Sequence, residues 1–278
     1  MKVIAILPAR FASTRLPGKM LLDRTGKPLI VHVVEAVRRA TLVDEIVVAT
    51  DDQRILEAVE AAGGRAVMTR VDHRSGSDRL AEAAEILRLH DDDVVVNVQG
   101  DEPEMPASCV DRLVEMMLET PQAANSNLLA ASEDSTPAQR PRDASRGLNG
   151  GHHALPPAPM ATLATPLDAA TADDPNRVKV VLAHNGRAMY FSRSKIPHDR
   201  DRTGKTHYLL HLGIYAYRVW FLKTFTKLHP TPAEESEKLE QLRALEHGYN
   251  IQVAVVEYAG GGIDTPEDYE AFVRRQIR

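Results

Sequence analysis

Four stretches of the chain place charged or hydroxyl side chains where an apolar run ends. In PARFASTRLPGK (8–19), Arg10, Arg15 and Lys19 stand with Ser13 and Thr14 just after the apolar run VIAIL (3–7). Guanidinium groups grip phosphate in a bidentate way and an ammonium acts as a compact charge, so this loop could cradle a polyanion. A solvated basic turn, or pairing with nearby carboxylates, would explain the same residues. In VVVNVQGDEPEMP (94–106), an apolar run leads straight into Gln99, Gly100, Asp101 and Glu102. Carboxylates there suit a hard cation such as Mg²⁺, which keeps waters and substrate phosphates as further ligands. A plain turn is the alternative, since Gly-Asp and Glu-Pro are turn residues. In HRSGSDRLAEA (73–83), Ser75, Gly76 and Ser77 precede Asp78 and Arg79. Hydroxyls at a helix start attract an anion or polar ligand, or simply cap the helix. In GGGIDTPEDYE (260–270), three glycines deliver Asp264 into a helix start, where a lone aspartate is ordinarily a cap.

Several chemistries are excluded. Gly18-Lys19 is followed by Met20 and Gly26-Lys27 by Pro28, so no Walker A loop is present, and the first loop lacks the three-glycine dinucleotide fingerprint. Cys109 is the only cysteine, which rules out an internal disulfide and a Cys-rich zinc site. The formal net charge of -5 argues against general adhesion to nucleic acid, so any phosphate binding must be local. No apolar run approaches a membrane span and the N-terminal one is too short for a signal peptide, so the expected compartment is the cytoplasm.

The elements that must position these residues follow from periodicity. VIAIL (3–7), EIVVAT (45–50), AVMTR (66–70) and VVVNVQ (94–99) read as buried strands. They alternate with the helical patterns KPLIVHVVEAVRRA (27–40), RILEAVEAAGG (54–64) and DRLAEAAEILRL (78–89). This alternation predicts α/β architecture, a doubly wound, mostly parallel sheet with helices on both faces. Residues 122–159 break the rhythm: Ala, Ser, Pro, Asn and Gly dominate, so the segment is expected to be a disordered surface insertion, and its His152-His153 pair carries no metal reading. Strands are then predicted at 160–167, 178–184, 188–193, 211–218 and 251–258. A helix is predicted over 231–248, with Thr231 as N-cap, Pro232 at N1 and Gly248 past its end; another covers 264–277, starting at Asp264 or Thr265. The whole reads as one domain, 1–278. In such sheets ligands sit beyond the carboxyl ends of the strands, and all four charged stretches fall at strand-to-helix junctions.

In order along the chain, PAR-x-x-S-T-R-L-P-G-K, SG-x-DRLAE, VNVQGDEP, YFSR-x-x-IP, HLGIYAYR, KLEQLR and DTPED resemble the 3-deoxy-manno-octulosonate cytidylyltransferase (CMP-Kdo synthetase) family. The resemblance covers nearly all of the chain except about 120–160. It implies a nucleotide-diphospho-sugar-transferase-like fold with a smaller β-rich lobe that forms a homodimer. The implied activity transfers CMP from CTP to Kdo with release of pyrophosphate, for lipopolysaccharide biosynthesis, with Mg²⁺ as cofactor and neither nucleic acid nor membrane as partner. The resemblance further implies that Ala9, Arg10, Ser13, Arg15, Lys19, Ser77, Arg79 and Gln99 form the nucleotide site, and that Asp101 and Asp264 hold the metal. Arg193, His211, Tyr215, Glu240 and Gln241 would surround the sugar acid, and Lys19, Arg15 and Asp101 would be catalytic. Relatives typically carry Thr where Ser77 stands, which keeps the hydroxyl. A glycosyltransferase would instead be expected to show an Asp-x-Asp motif, where this chain has Gly100-Asp101-Glu102-Pro103; a nucleotide sensor would not need Lys19, Asp101 and Asp264 together.

Overall fold

Alternate residues of the first strand, β1 (Val3–Ala9), belong to opposite cores: Val3, Ala5, Leu7 and Ala9 to one, Ile4 and Ile6 to the other. A strand buried on both faces has no polar side to show, which is why its sequence reads as an unbroken apolar run. The computed structural model describes residues 1–118 and 158–277, apart from residues 14, 74 and 259. The insertion expected at 122–159 lies outside the described residues except for its last two positions, where the Pro159 carbonyl already accepts from the Arg218 amide.

β1 pairs in parallel with β2 (Glu45–Thr50) on one side and β4 (Val94–Asn97) on the other, and β2 pairs in parallel with β3 (Arg65–Met68). Among the described residues the sheet order is β3-β2-β1-β4-β8-β5-β9, with β8 (Tyr208–Arg218), β5 (Met160–Leu167) and β9 (Ile251–Val255). β8 alone in this path runs against its neighbours, antiparallel to both β4 and β5, while β9 is parallel to β5. The mostly parallel, doubly wound sheet is therefore as expected. β6 (Lys179–Leu182) and β7 (Ala188–Ser192) form an antiparallel hairpin off the path, joined to β8 at Lys179, and supply the smaller β-rich part.

Helices cover both faces. α1 (Leu29–Val37), α2 (Gln53–Ala61) and α4 (Ala107–Leu118) bury their apolar stripes on one face. α3 (Gly76–Ile86), α5 (Val219–Phe225) and α7 (Gln241–Glu246) cover the other. The helix expected over 231–248 is two helices, α6 (Pro232–Glu237) and α7, because Lys238 takes a left-handed conformation (φ 54°) that ends the first. α8 (Pro266–Gln276) closes the chain. The strand order reverses between β1 and β4, so the loops leaving these two strands share the crevice where such sheets bind ligands.

Candidate functional site

The basic loop is closed at its neck. Gly18 turns through φ 67°, and its amide donates to the Phe11 carbonyl at 3.3 Å. A Cβ there would also come within 3.1 Å of the Phe11 ring, so the left-handed turn favours glycine and the ring would have to give by a few tenths of an ångström for anything larger. A single 3₁₀ turn, Lys19–Leu21, then carries Lys19 into the interior.

The Lys19 side chain is 8% exposed, and its ammonium joins three distant parts of the chain. Nζ donates to Asp101 Oδ2 at 2.6 Å, to the Ile263 carbonyl at 3.0 Å and to Asp264 Oδ1 at 3.1 Å. The second oxygen of Asp264 pairs with the Arg15 guanidinium at 2.9 Å. Asp101 reaches this point because Gly100 allows close backbone approach: a Cβ there would lie 2.8 Å from the Pro8 carbonyl. Asp264 arrives through α8, whose Tyr269, Phe272 and Val273 pack with Ile263 and Leu29 and against Leu16 of the basic loop. The sequence left the start of this helix at Asp264 or Thr265, and Thr265 is the N-cap. Its hydroxyl accepts from the Asp268 amide, and Asp268 accepts in return from the amides of Asp264 and Thr265. The Asp264 carboxylate is thereby left for the two cations.

The other half of the site is a cavity of about 120 Å³ lined by Ser77, Gln99, Tyr215, Tyr217, Glu240 and Gln241 among others. Ser77 Oγ donates to Glu240 Oε2 at 2.6 Å, linking the start of α3 to the start of α7. Burial raises the Glu240 carboxyl above its ordinary range, opposed by the Ser77 hydrogen bond and the Arg243 charge. Burial also raises the Tyr215 phenol, and Glu240 adds to the effect. Gln241 is 5% exposed, and its Nε2 is a buried donor with no hydrogen-bond partner. An unpaired buried amide N–H costs about 1–3 kcal/mol, so a small shift that brings an acceptor to Gln241 would be favourable.

The sequence-predicted residues fall into three groups. Lys19, Arg15, Asp101 and Asp264 touch one another, and Ser77, Gln99, Tyr215, Glu240 and Gln241 line one cavity. Ala9 is the buried end of β1, Arg10 is exposed and Ser13 is half-buried. His211 lies beside Tyr215, ring centroids 5.4 Å apart, with Nε2 3.1 Å from Thr162 Oγ1; burial holds it near pKa 3, hence neutral. Two arginines are held by the protein itself. Arg79, expected in the nucleotide pocket, is buried against Asp51 and Thr69, with its guanidinium 2.7 Å and 2.5 Å from their oxygens. Arg193, expected at the sugar acid, donates to the carbonyls of Glu237 and Pro175 at 2.7 and 3.0 Å, bracing the chain next to the α6–α7 break.

Sequence reasoning named Glu102 beside Asp101 but could not foresee that its carboxyl is pushed up to about 7, first by burial and then by the neighbouring Asp101 and Asp264 charges. It also missed Asp51, although a carboxylate just past β2 repeats the pattern that drew attention to Asp101. Two carboxylates and a carbonyl converge on one positive charge, the Lys19 ammonium, so these oxygens already serve a cation. Among the described residues no cluster of three or more His, Cys, Asp or Glu could hold a metal, so an ion at the Asp101–Asp264 pair would take further ligands from water or a substrate.

A sheet that reverses its order between β1 and β4, with a basic loop and paired carboxylates at that point, defines an α/β protein with an anion-binding crevice at its switch point. The comparisons narrow the class. The chain belongs to the cytidylyltransferase family, whose pattern matches residues 4–251. It is 46% identical over 275 residues to a 3-deoxy-manno-octulosonate cytidylyltransferase of Syntrophobacter fumaroxidans, covering 98% of this chain and 96% of that one. Among solved structures it resembles a CMP:2-keto-3-deoxy-manno-octonic acid synthetase complexed with CTP. The TM-score is 0.83 at 38% identity, covering 100% of this chain and 99% of that one. A 4-diphosphocytidyl-2C-methyl-D-erythritol synthase shares the fold alone, with a TM-score of 0.58 at 14% identity, covering 100% of this chain and 98% of that one.

Proposed function

We propose that this protein is an enzyme that transfers CMP from CTP to 3-deoxy-D-manno-octulosonate (Kdo), releasing pyrophosphate. The observation that carries the reading is the Lys19–Asp101–Asp264–Arg15 cluster set beside a cavity with an unpaired buried amide donor. The cluster meets a triphosphate, and the cavity of Ser77, Tyr215, Glu240 and Gln241 meets a hydroxyl-rich sugar acid. The relatives' names supply the particular substrates.

The chemistry needs no covalent enzyme intermediate. The anomeric hydroxyl oxygen of Kdo forms a bond to the α-phosphorus, the bond to the bridging oxygen breaks, and pyrophosphate leaves with that electron pair. Lys19 and Arg15, with Arg10 from the loop mouth, neutralise charge on the phosphates, while the cavity orients the attacking sugar. Asp101 and Asp264 would hold Mg²⁺ together with the triphosphate, Lys19 and Arg15 turning from the carboxylates to the phosphates. Bound there, the cation supplies charge neutralisation at the phosphates. The same reading includes a homodimer through the β-rich hairpin, whose Met189 and Tyr190 are exposed, and a cytoplasmic role in lipopolysaccharide biosynthesis. No described helix is long and apolar enough to cross a membrane. Pyrophosphate release should require CTP, Mg²⁺ and Kdo together. Equal release without a sugar acid, or with a UDP-sugar in place of CTP, would overturn the assignment.

A further inference from the structure

We infer that Phe11 and the buried Asp51–Arg79 pair form a clamp that fixes the shape of the basic loop, with all three acting as positioning residues. The inference rests on reading that loop as the phosphate cradle. Phe11 is held at every group it has. Its amide donates to Asp51 Oδ1 at 3.4 Å, and its carbonyl accepts from the Gly18 amide at 3.3 Å. Its ring lies under the Arg54 guanidinium, 3.7 Å from the centroid, and packs close enough to Gly18 that a Cβ there would come within 3.1 Å of it. Asp51 is held in turn: its Oδ2 takes Arg79 at 2.7 Å, and the pair is 5% and 9% exposed. Arg79 continues to Thr69 Oγ1 at 2.5 Å, and Thr69 donates by hydroxyl and amide to the Thr50 carbonyl at 3.0 and 2.8 Å.

The chain of contacts thus runs from the ends of β2 and β3 to the neck of the loop. A paired buried charge is costly to move, so it makes a rigid footing. Ser13 and Arg15 lie between the two clamped positions, and Lys19 follows the second, so their spacing is inherited from the clamp. None of this footing reaches the cavity lined by Tyr215, Glu240 and Gln241.

The test combines steady-state kinetics with hydrogen exchange of the loop amides in full-length protein without substrate. Phe11→Ala should raise loop exchange over residues 10–19 and raise the KM for CTP by about tenfold or more, because small misplacement of binding groups is expensive in rate and affinity. The KM for Kdo should stay near wild type, and Phe11→Tyr, which restores the ring, should reverse both effects. Asp51→Asn, which keeps an oxygen for the Phe11 amide but weakens the hold on Arg79, should move exchange and CTP KM the same way. Unchanged loop exchange in Phe11→Ala, or raised exchange with an unchanged KM for CTP, overturns the clamp. A wild-type protein that does not turn over CTP refutes the proposed function instead, and the exchange arm then decides the clamp by itself.

Discussion

Lys19→Met removes one charge and almost no length, and its consequences can be worked out from three distances. The ammonium sits 2.6 Å from Asp101 and 3.1 Å from Asp264, whose side chains are 26% and 40% exposed. Removing one partner of a fully buried ion pair costs about 3–5 kcal/mol, and an exposed pair is worth about 0–1 kcal/mol. This intermediate burial places the loss at about 1–3 kcal/mol. For a chain of this size that is a fall in Tm of roughly 3–10 °C. Turnover should fall further, by about 10²–10³, the loss typical of a preorganised group acting on developing charge. A second effect has the opposite sign. Without the ammonium, two carboxylates face one another across a space shaped for a cation, so Mn²⁺ alone should now raise the Tm, by an amount equivalent to about 2.7 kcal/mol at a hundredfold excess over Kd. Wild-type protein without nucleotide should respond much less, since Lys19 fills that space. Thermal melts with and without Mn²⁺, beside pyrophosphate release at saturating CTP, read both effects. Turnover equal to wild type in Lys19→Met would refute the placement of this lysine on the phosphates.

Asp264→Asn should melt near wild type, because Thr265 and Asp268 cap α8 without it, yet need far more Mg²⁺ for activity; an unchanged Mg²⁺ titration would remove Asp264 from the metal. Glu102 has a folded pKa near 7 against 4.5 unfolded, so its protonated form stabilises the protein fully below about pH 4.5 and that stability is lost as pH rises through 7. In chelator, wild type should therefore lose about 1–3 kcal/mol between pH 4.5 and 8 that Glu102→Gln keeps, and parallel pH–stability curves for the two would contradict this. Gly100→Ala forces a Cβ to 2.8 Å from the Pro8 carbonyl, so denaturant melts should show a loss of about 1–3 kcal/mol together with weakened CTP binding. A neutral result there would mean that the two loops tolerate being pushed apart.

The parallel half of the sheet was legible because burial on both faces writes itself as apolar runs: β1, β2 and β4 fall where VIAIL, EIVVAT and VVVNVQ stand. Other elements left weaker marks. In α5, VWFLKTF continues the aromatic run of β8, and only the turn at Arg218 separates them. The break at Lys238 has no glycine or proline to announce it, since a lysine takes the left-handed conformation. α4 follows the Asp101 motif so closely that its amphipathic pattern, ASCVDRLVEMML, passed without notice. In the site, convergence on one sheet edge was legible from chain order, because strand-to-helix junctions must gather there. Orientation was not. Arg79 and Arg193 stand in motifs the sequence shows, but which oxygens their guanidinium groups meet depends on neighbours that no local pattern specifies.

The Lys19 contacts span 82 positions to Asp101 and 245 to Asp264. That separation has a consequence during synthesis, when the chain appears from its N-terminus. A nascent protein that has delivered every strand through Val255 still lacks Ile263, Asp264 and the α8 residues that pack on Leu29 and Leu16. Its sheet is complete, but its lysine has one carboxylate and lacks the other two oxygens, and the basic loop lacks the apolar partner for Leu16. On the proposed reading of the Lys19 cluster, a chain with an assembled sheet but no α8 would hold a triphosphate more weakly than the whole one.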